Sequence, residues 1–371
     1  MKTFTFILQR GRGSHALQPR GADVTTKKAT IKDVAREAKV SIASVSRVLN
    51  GSGGVTVETQ DIVRKVAARL HYVPDNAARS LITRRTHTIG AVLPDLYGEF
   101  FSELIRGIDL AARARGLHLL VSSSHDGAEE AAAAVRTMRG RVDGLIMLSD
   151  FVDAEFLEAN VPAELPVVLL DTPVKDKRYP ALNIDNFAGA NAMVRHLLEM
   201  GHASVAFIAG PARNFDAQQR EKGYRAAMVA HAPKIPVNVV AGNFTEESGY
   251  AAGRELLAQK KLPRAVFAAN DMMAVGCLSA FREAGLKVPG DIAVAGFDDI
   301  LIARYVSPPL STVRVRIADL GKSALLMLSE LMEGKVQSGA SVRTLGCDVI
   351  VRNSCGANQS RALPTNPSPL H

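Results

Sequence analysis

From His87 onward, short apolar runs alternate with alanine-rich stretches of helical period, and few folds accept that rhythm. The runs are Ile89–Leu93, Leu117–Ser122, Gly144–Leu148, Val167–Leu170, Val205–Ile208, Val237–Val240, Ala265–Ala268 and Ile292–Phe297. Between most of them lie the helix-like stretches Phe100–Arg115, Glu129–Arg139, Phe187–Met200, Gln218–Ala230, Glu246–Ala258 and Met272–Ala284. Strands that are apolar on both faces and separated by helices build a parallel sheet covered on both sides. About eight strands in roughly 260 residues suit two doubly wound sheets better than one, with a β/α barrel as the alternative.

The front of the chain is a different material. Residues 1–87 carry 16 Lys or Arg against 6 Asp or Glu, a net charge of +10, while the remainder is close to neutral at −2. A cationic front on a neutral body suits a polyphosphate partner. Within it, residues 30–73 show short helical periods and no strand signal. Thr30 is a good N-cap and Asp33 completes a capping box. Ile31, Val34, Ala35 and Ala38 share one face. Lys39-Val40 allows a tight turn, and Ser41 caps a second helix with Val45, Val48 and Leu49 inward. Two short helices joined this way form a helix-turn-helix. A third, Val57 to Leu70, offers Ile62, Val63, Val66 and Leu70 to the same core. On the second helix, Ile42, Ala43, Ser46 and Arg47 project outward, where an arginine pairs with guanine and small apolar groups meet thymine methyls.

Residues 30–90 resemble the head of the LacI/GalR family. The matching stretches are T-I-K-D-V-A-R-E-A-K-V-S from Thr30, S-V-S-R-V-L-N ending at Asn50, and H-Y-V-P-D-N-A-A-R-S-L from His71. The resemblance implies that Ile42, Ala43 and Arg47 read bases. It implies that Ser41, Ser44, Ser46, Asn50 and Tyr72 position the DNA backbone, which carries affinity rather than sequence information, and it places Thr30 and Asn76 among the DNA-binding residues. Residues 74–86 are similar to the family hinge and linker. A helix of two turns is marginal alone and is expected to fold on DNA beside a partner subunit. Leu81 matches the wedge that opens a base step in the minor groove, with Ala78 allowing close helix approach.

The body, residues 87–352, resembles the periplasmic-binding-protein-like core of that family. This implies two lobes, crossings near Leu182–Asn186, Leu310–Val313 and Leu345–Asp348, and a ligand held beyond the carboxyl ends of the strands. Polar and aromatic residues just after apolar runs are therefore the candidates: Asp95, Phe100, Phe101, Asp171, Arg213, Asn214, Asp216, Phe244, Asn270, Asp271, Asp298 and Asp299. Arg220 is added by the family resemblance. Carboxylates and amides beside an aromatic face suit the hydroxyls of a sugar, and Arg220 suits a ligand carboxylate or phosphate. Asp271 also reads as a cap for the helix at Met272, Asp299 as a turn residue and Phe101 as core.

No enzyme class finds support. The chain lacks a P-loop, a G-x-S-x-G elbow, an H-E-x-x-H pair and a G-x-G-x-x-G after a strand. Catalytic residues, metal ligands and cofactors are not expected. Cys277, Cys347 and Cys355 show no C-x-x-C spacing, which argues against a disulfide framework and points to a reducing cytoplasm; the family resemblance implies that of a bacterium, beside the nucleoid. The apolar stretch Thr3–Leu8 is too short for a signal peptide, and no stretch suits a membrane. A transport-type sugar-binding protein is the rival that the body alone permits. Residues 1–29 read as a disordered leader or an early start, and 353–371 as a frayed tail. The tail has no leucine heptads, so the expected assembly is a homodimer rather than a tetramer, reading a pseudo-palindromic operator in double-stranded DNA. The expected function is an allosteric transcription regulator, a repressor controlled by a small carbohydrate-like effector.

Overall fold

The structure is a computed structural model that describes residues 29–51, 53–73, 85–125, 127–174, 178–335 and 342–356, and the chain divides into two units at the Arg79–Ser80 bond. The expected hinge residues Asn76, Ala78 and Leu81 lie outside the described residues, as do nearly all of the leader and most of the tail.

The first unit holds α1 (Ile31–Ala38), α2 (Ile42–Asn50) and α3 (Val57–Arg69). Asp33 reaches back so that its carboxylate accepts the Thr30 N–H at 3.0 Å and the Thr30 hydroxyl at 2.7 Å. These bonds hold Asp33 below its ordinary pKa. Lys39 ends α1 in the left-handed region at φ 53°. Ser41 Oγ then accepts the Ser44 N–H at 3.0 Å and starts α2. Val34, Ala35, Ala38, Val45, Val48, Val63, Val66 and Ala67 close the core, with Ile31, Leu49, Leu70 and Tyr72 packed against it. Ile62 does not join them and is 48% exposed. The inward stripe of α3 runs 63, 66, 67, 70, and position 62 lies one helical step off it.

The second unit has two six-stranded sheets. One contains β1 (Thr88–Leu93), β2 (His118–Ser123), β3 (Gly144–Met147), β4 (Val167–Leu170), β5 (Ala181–Ile184) and β11 (Val342–Leu345), in the order β11-β5-β4-β3-β1-β2 and all parallel. The other contains β6 (Val205–Ile208), β7 (Asn238–Val240), β8 (Ala265–Ala268), β9 (Ala293–Asp298), β10 (Ser311–Arg314) and β12 (Asp348–Ile350), in the order β12-β10-β9-β8-β6-β7. Only its edge strand β12 is antiparallel. Two open sheets exclude the barrel. The eight expected runs all hold strands. The four additional strands read ALNI, STVR, VRTL and DVI, which mix polar with apolar residues and give no continuous apolar signal.

The helices are α4 (Glu99–Arg113), α5 (Ala128–Met138), α6 (Ala154–Asn160), α7 (Asn186–Glu199), α8 (Phe215–His231), α9 (Glu246–Leu257), α10 (Asp271–Glu283) and α11 (Ile317–Met332). The chain leaves the first lobe through Asp185, returns through Val315–Arg316 and leaves again through Gly346–Cys347. The second crossing thus falls beyond Leu310–Val313, most of which is spent on β10. Helices α9 and α10 meet backbone to backbone: a Cβ on Gly276 would lie 1.9 Å from the Glu246 carbonyl oxygen, and one on Gly249 would lie 2.1 Å from that of Met273.

Two features bracket this unit. At its start, Asp143 accepts the Thr86 N–H at 2.6 Å, the Thr86 hydroxyl at 2.9 Å and the His87 N–H at 2.8 Å, which pins His87 at φ 53°. At its end, the expected fraying from Asn353 does not occur at once. Asn353–Cys355 forms a 3-10 turn in which Ser354 and Cys355 are buried. Ser354 Oγ accepts the Ser311 N–H at 2.8 Å and donates to the Val294 carbonyl at 2.6 Å, so a polar residue is buried with its hydrogen bonds made.

Candidate functional site

Two surfaces qualify, one on each unit. On the head, Ser41, Ile42, Ala43, Arg47 and Asn50 are exposed along α2, and Ile42 keeps 45% of its surface in solvent. Ser44 and Ser46 are half-buried beside them. The serines are already engaged locally: the Ser41 and Ser44 hydroxyls lie 2.9 Å apart, and Asn50 donates to Ser46 Oγ at 3.2 Å. Tyr72 packs on the three-helix core, and Thr30 is exposed at the start of α1. A rigid helix thus presents its first turns and one arginine outward, as a major-groove reader does.

On the second unit, a cleft of about 280 Å³ opens between the lobes. Strand order reverses between β1 and β3 in one sheet and between β6 and β8 in the other, which leaves crevices past the carboxyl ends of these strands. Asp95, Phe100, Phe101, Asn214, Asp216, Phe244, Asn270 and Asp298, chosen for their positions after apolar runs, line the cleft together with Arg220. Arg213 is exposed and outside the lining, and its neighbour Asn214 faces inward instead. Asp171 is also absent from the lining; it is buried.

Arg220 organises the cleft floor. Its Nε donates to Asn186 Oδ1 at 2.8 Å and its Nη1 to the Ala269 carbonyl at 2.6 Å, while Nη2 lies 3.1 Å from Asp298 Oδ1. Its guanidinium rests 3.8 Å from the centroid of the Phe297 ring. Asn186 passes the chain on by donating to Asp216 Oδ1 at 2.8 Å. Asp171 accepts the Ile184 N–H at 2.7 Å, and its second oxygen is buried with no hydrogen-bond partner among the described residues. Asp298 Oδ1 is at ion-pairing distance from Arg220 but makes no aligned hydrogen bond there. Burial pushes Asp298 up to about 6 against the pull of Arg220. Burial also lifts Asp171 to about 7, opposed by the Ile184 N–H and Arg220. Asp216 is driven well above its ordinary range by burial and then by repulsion from Asp171.

Asn270 takes the capping role the sequence offered to Asp271 and still lines the cleft, whereas Asp271 lies outside it. Asn270 is the N-cap of α10, accepting the Met273 N–H at 2.9 Å, and it also donates to the Phe244 carbonyl at 2.9 Å. Asp271 is fully buried, accepting the Thr312 hydroxyl at 2.6 Å and the Ile300 N–H at 3.0 Å. It ties β10 to the chain beyond β9. Asp299 is likewise more than a turn residue, since it gathers Arg314 at 2.7 Å, Arg352, and Arg304 at 3.8 Å.

The cleft also contains residues the sequence reading passed over, notably Tyr97, Glu99, His125, Leu148, Asp150, Asn243 and Thr245. All follow strand ends, so the same rule applied after every apolar run would have found His125 and Asp150. Three hydrogen bonds span the lobes at the rim. Tyr97 donates to Glu246 at 3.3 Å, the Ile302 N–H donates to Glu99 at 3.2 Å, and Asn214 donates to Asp150 at 2.9 Å. Three non-glycine backbones around the cleft hold positive φ, at His125 (44°), Phe244 (73°) and Asp298 (111°), a kind of strain that concentrates at ligand sites.

Comparison with known proteins adds the family. Residues 30–75 match the family described as bacterial regulatory proteins, lacI family, and residues 194–355 match the periplasmic binding protein-like domain. The chain is 34% identical over 341 residues to the HTH-type transcriptional repressor CytR of Escherichia coli K12, covering 91% of this chain and 97% of that protein. The lac repressor dimer bound to operator and the anti-inducer ONPF is 28% identical with a TM-score of 0.79, covering 89% of this chain and 99% of the other. The complex of the transcriptional regulator CelR with cellobiose is 29% identical with a TM-score of 0.66, covering 88% and 99%. With head, body and nearly full-length similarity in agreement, the chain belongs to the lacI family of bacterial regulatory proteins.

Proposed function

We propose that this regulator is a homodimeric repressor that holds a pseudo-palindromic operator through α2 of each head and changes its grip when a small molecule fills the cleft of the body. The observation that carries the reading is the outward face of α2, where Ile42, Ala43 and Arg47 stand exposed on a closed three-helix core. The net charge of +10 over residues 1–87 supports it, because phosphate contacts supply most of the non-specific affinity for DNA. Ser41, Ser44, Ser46, Asn50, Thr30 and Tyr72 position the backbone, and Asn76, Ala78 and Leu81 complete the contact at the operator centre. The effector is a small carbohydrate-like molecule, in line with the cellobiose held by CelR. Asp95, Phe100, Phe101, Asp216, Phe244 and Asp298 face it, while Arg220 and Asp171 shape the floor from beneath. The protein works in the cytoplasm, beside the nucleoid, and catalyses no reaction.

Sensing requires the ligand to prefer one lobe arrangement and that arrangement to favour or oppose operator binding. The test is a mobility shift against a selected operator. Arg47→Ala is expected to weaken binding by about 1–3 kcal/mol, or about five- to 150-fold, and to flatten the preference at one base position. Full operator affinity and unchanged preference in that variant would remove α2 from the interface.

A further inference from the structure

We infer that the effector carries no negative charge, so that the cleft takes a neutral or amine-bearing compound rich in hydrogen-bond donors and rejects its phosphorylated or carboxylated forms. The inference rests on reading the cleft as the effector site, and it narrows the chemistry of that ligand.

The first ground is the balance of charge. The carboxyl groups of Asp95, Glu99, Asp150, Asp216 and Asp298 line the cleft; burial raises the pKa of the last three, so the open charge is that of Asp95 and Glu99, against a guanidinium already paired with Asp298 and the imidazole of His125. A concave site lined by one sign of charge concentrates ligands of the other sign and repels its own.

The second ground is that the guanidinium is already committed. Arg220 has 4% of its side chain in contact with solvent, and its Nε, Nη1 and Nη2 face Asn186, the Ala269 carbonyl and Asp298. A ligand phosphate or carboxylate would have to draw Arg220 away from Asp298. That would leave a buried carboxylate without its counter-charge, which is strongly unfavourable. The sequence alone had left Arg220 open to an anionic ligand, and the geometry closes that option.

The third ground lies at the helix ends around the cleft. Helix N-termini, the other common anion receptors, are occupied here. Asn214 caps α8 through the Ala217 N–H at 2.8 Å, and Asn270 caps α10. The N-cap of α4 is Gly98 without a side chain, but Glu99 places a carboxylate in that first turn.

The experiment uses the full chain and matched compounds that differ only in charge, read by thermal shift and titration calorimetry. Suitable sets are cellobiose with cellobionate, ribose with ribose 5-phosphate, glucose and glucosamine with glucuronate and glucose 6-phosphate, and adenosine with its 5′-monophosphate. In any set that responds, the neutral or amino member is expected to bind at least about tenfold tighter than the anionic one. An anionic member that binds as tightly as its parent, or tighter, overturns the inference and leaves the effector reading standing. A panel in which no member responds fails the effector reading itself, and the inference with it. Asp95→Asn and Glu99→Gln are expected to narrow the discrimination against anions, and discrimination of undiminished size in both variants would show that charge is not its cause.

Discussion

Asp171 and Asp298 share the field of Arg220, and burial holds both above the ordinary carboxylate range, at about 7 and about 6. An unfolded aspartate titrates near about 3.9, so between about pH 4 and pH 7 the folded protein binds more protons than the unfolded chain. The stability these two groups contribute is complete below that window and is lost as pH rises through it. Asp171→Asn is therefore expected to lose less stability than the parent chain between about pH 4 and pH 7. Denaturant unfolding at several pH values measures the slopes, and equal slopes would mean that Asp171 ionises normally. Residues of this kind mark the limit of what the sequence reveals. The positions of Asp298, Phe244 and Asn270 at or beyond strand ends were readable, because a strand's carboxyl end is fixed by its apolar run. That Asn270 and not Asp271 caps the helix was not, because both residue types cap helices, and only the approach of Thr312 and Ile300 makes Asp271 a buried tie.

Helices and strands were legible to different degrees. All three head helices follow from caps and spacing, yet Ile62 was placed inward because composition outweighed phase. Six body helices were found to within a few residues. Helices α6 and α11, and strands β5, β10, β11 and β12, were missed. The missed strands lie beside the lobe crossings, where three or four residues with polar side chains suffice because the neighbouring strands supply the ladder. Element packing makes its own prediction. Gly276 admits the backbone of α9 so closely that a methyl group would sit 1.9 Å from the Glu246 oxygen. Gly276→Ala is expected to cost about 1–3 kcal/mol by forcing the two helices apart, seen as a lower midpoint in thermal or urea unfolding of the body signal. An unchanged midpoint would show that the α9–α10 contact is looser than it stands here.

For the whole molecule, the partition of charge is the most consequential property read from sequence. It separates a +10 front from a −2 remainder; half of the +10 lies in residues 1–29, ahead of α1, and half in the three-helix head and the segment that follows it. A dimer doubles the phosphate contacts. Sedimentation is expected to give twice the 39.6 kDa chain mass, and operator affinity is expected to fall linearly on a log–log plot against salt. A chain that sediments as a monomer on its operator, or binds it indifferently to salt, would contradict the assembly. The division into two lobes was also legible, since the number of apolar runs exceeds what one sheet of this rhythm holds. The ligand's identity was not, because it depends on side-chain spacing across two lobes that are distant in sequence.

The knot that Asp143 ties around Thr86 and His87 belongs wholly to the first lobe. The second lobe holds Arg220, Phe244 and Asp298, and none of its described strands pairs with β1. In the proposed sensing scheme, a signal that starts at Asp298 or Phe244 therefore reaches Thr86 only by way of the first lobe, whose Asp143 holds that residue in place.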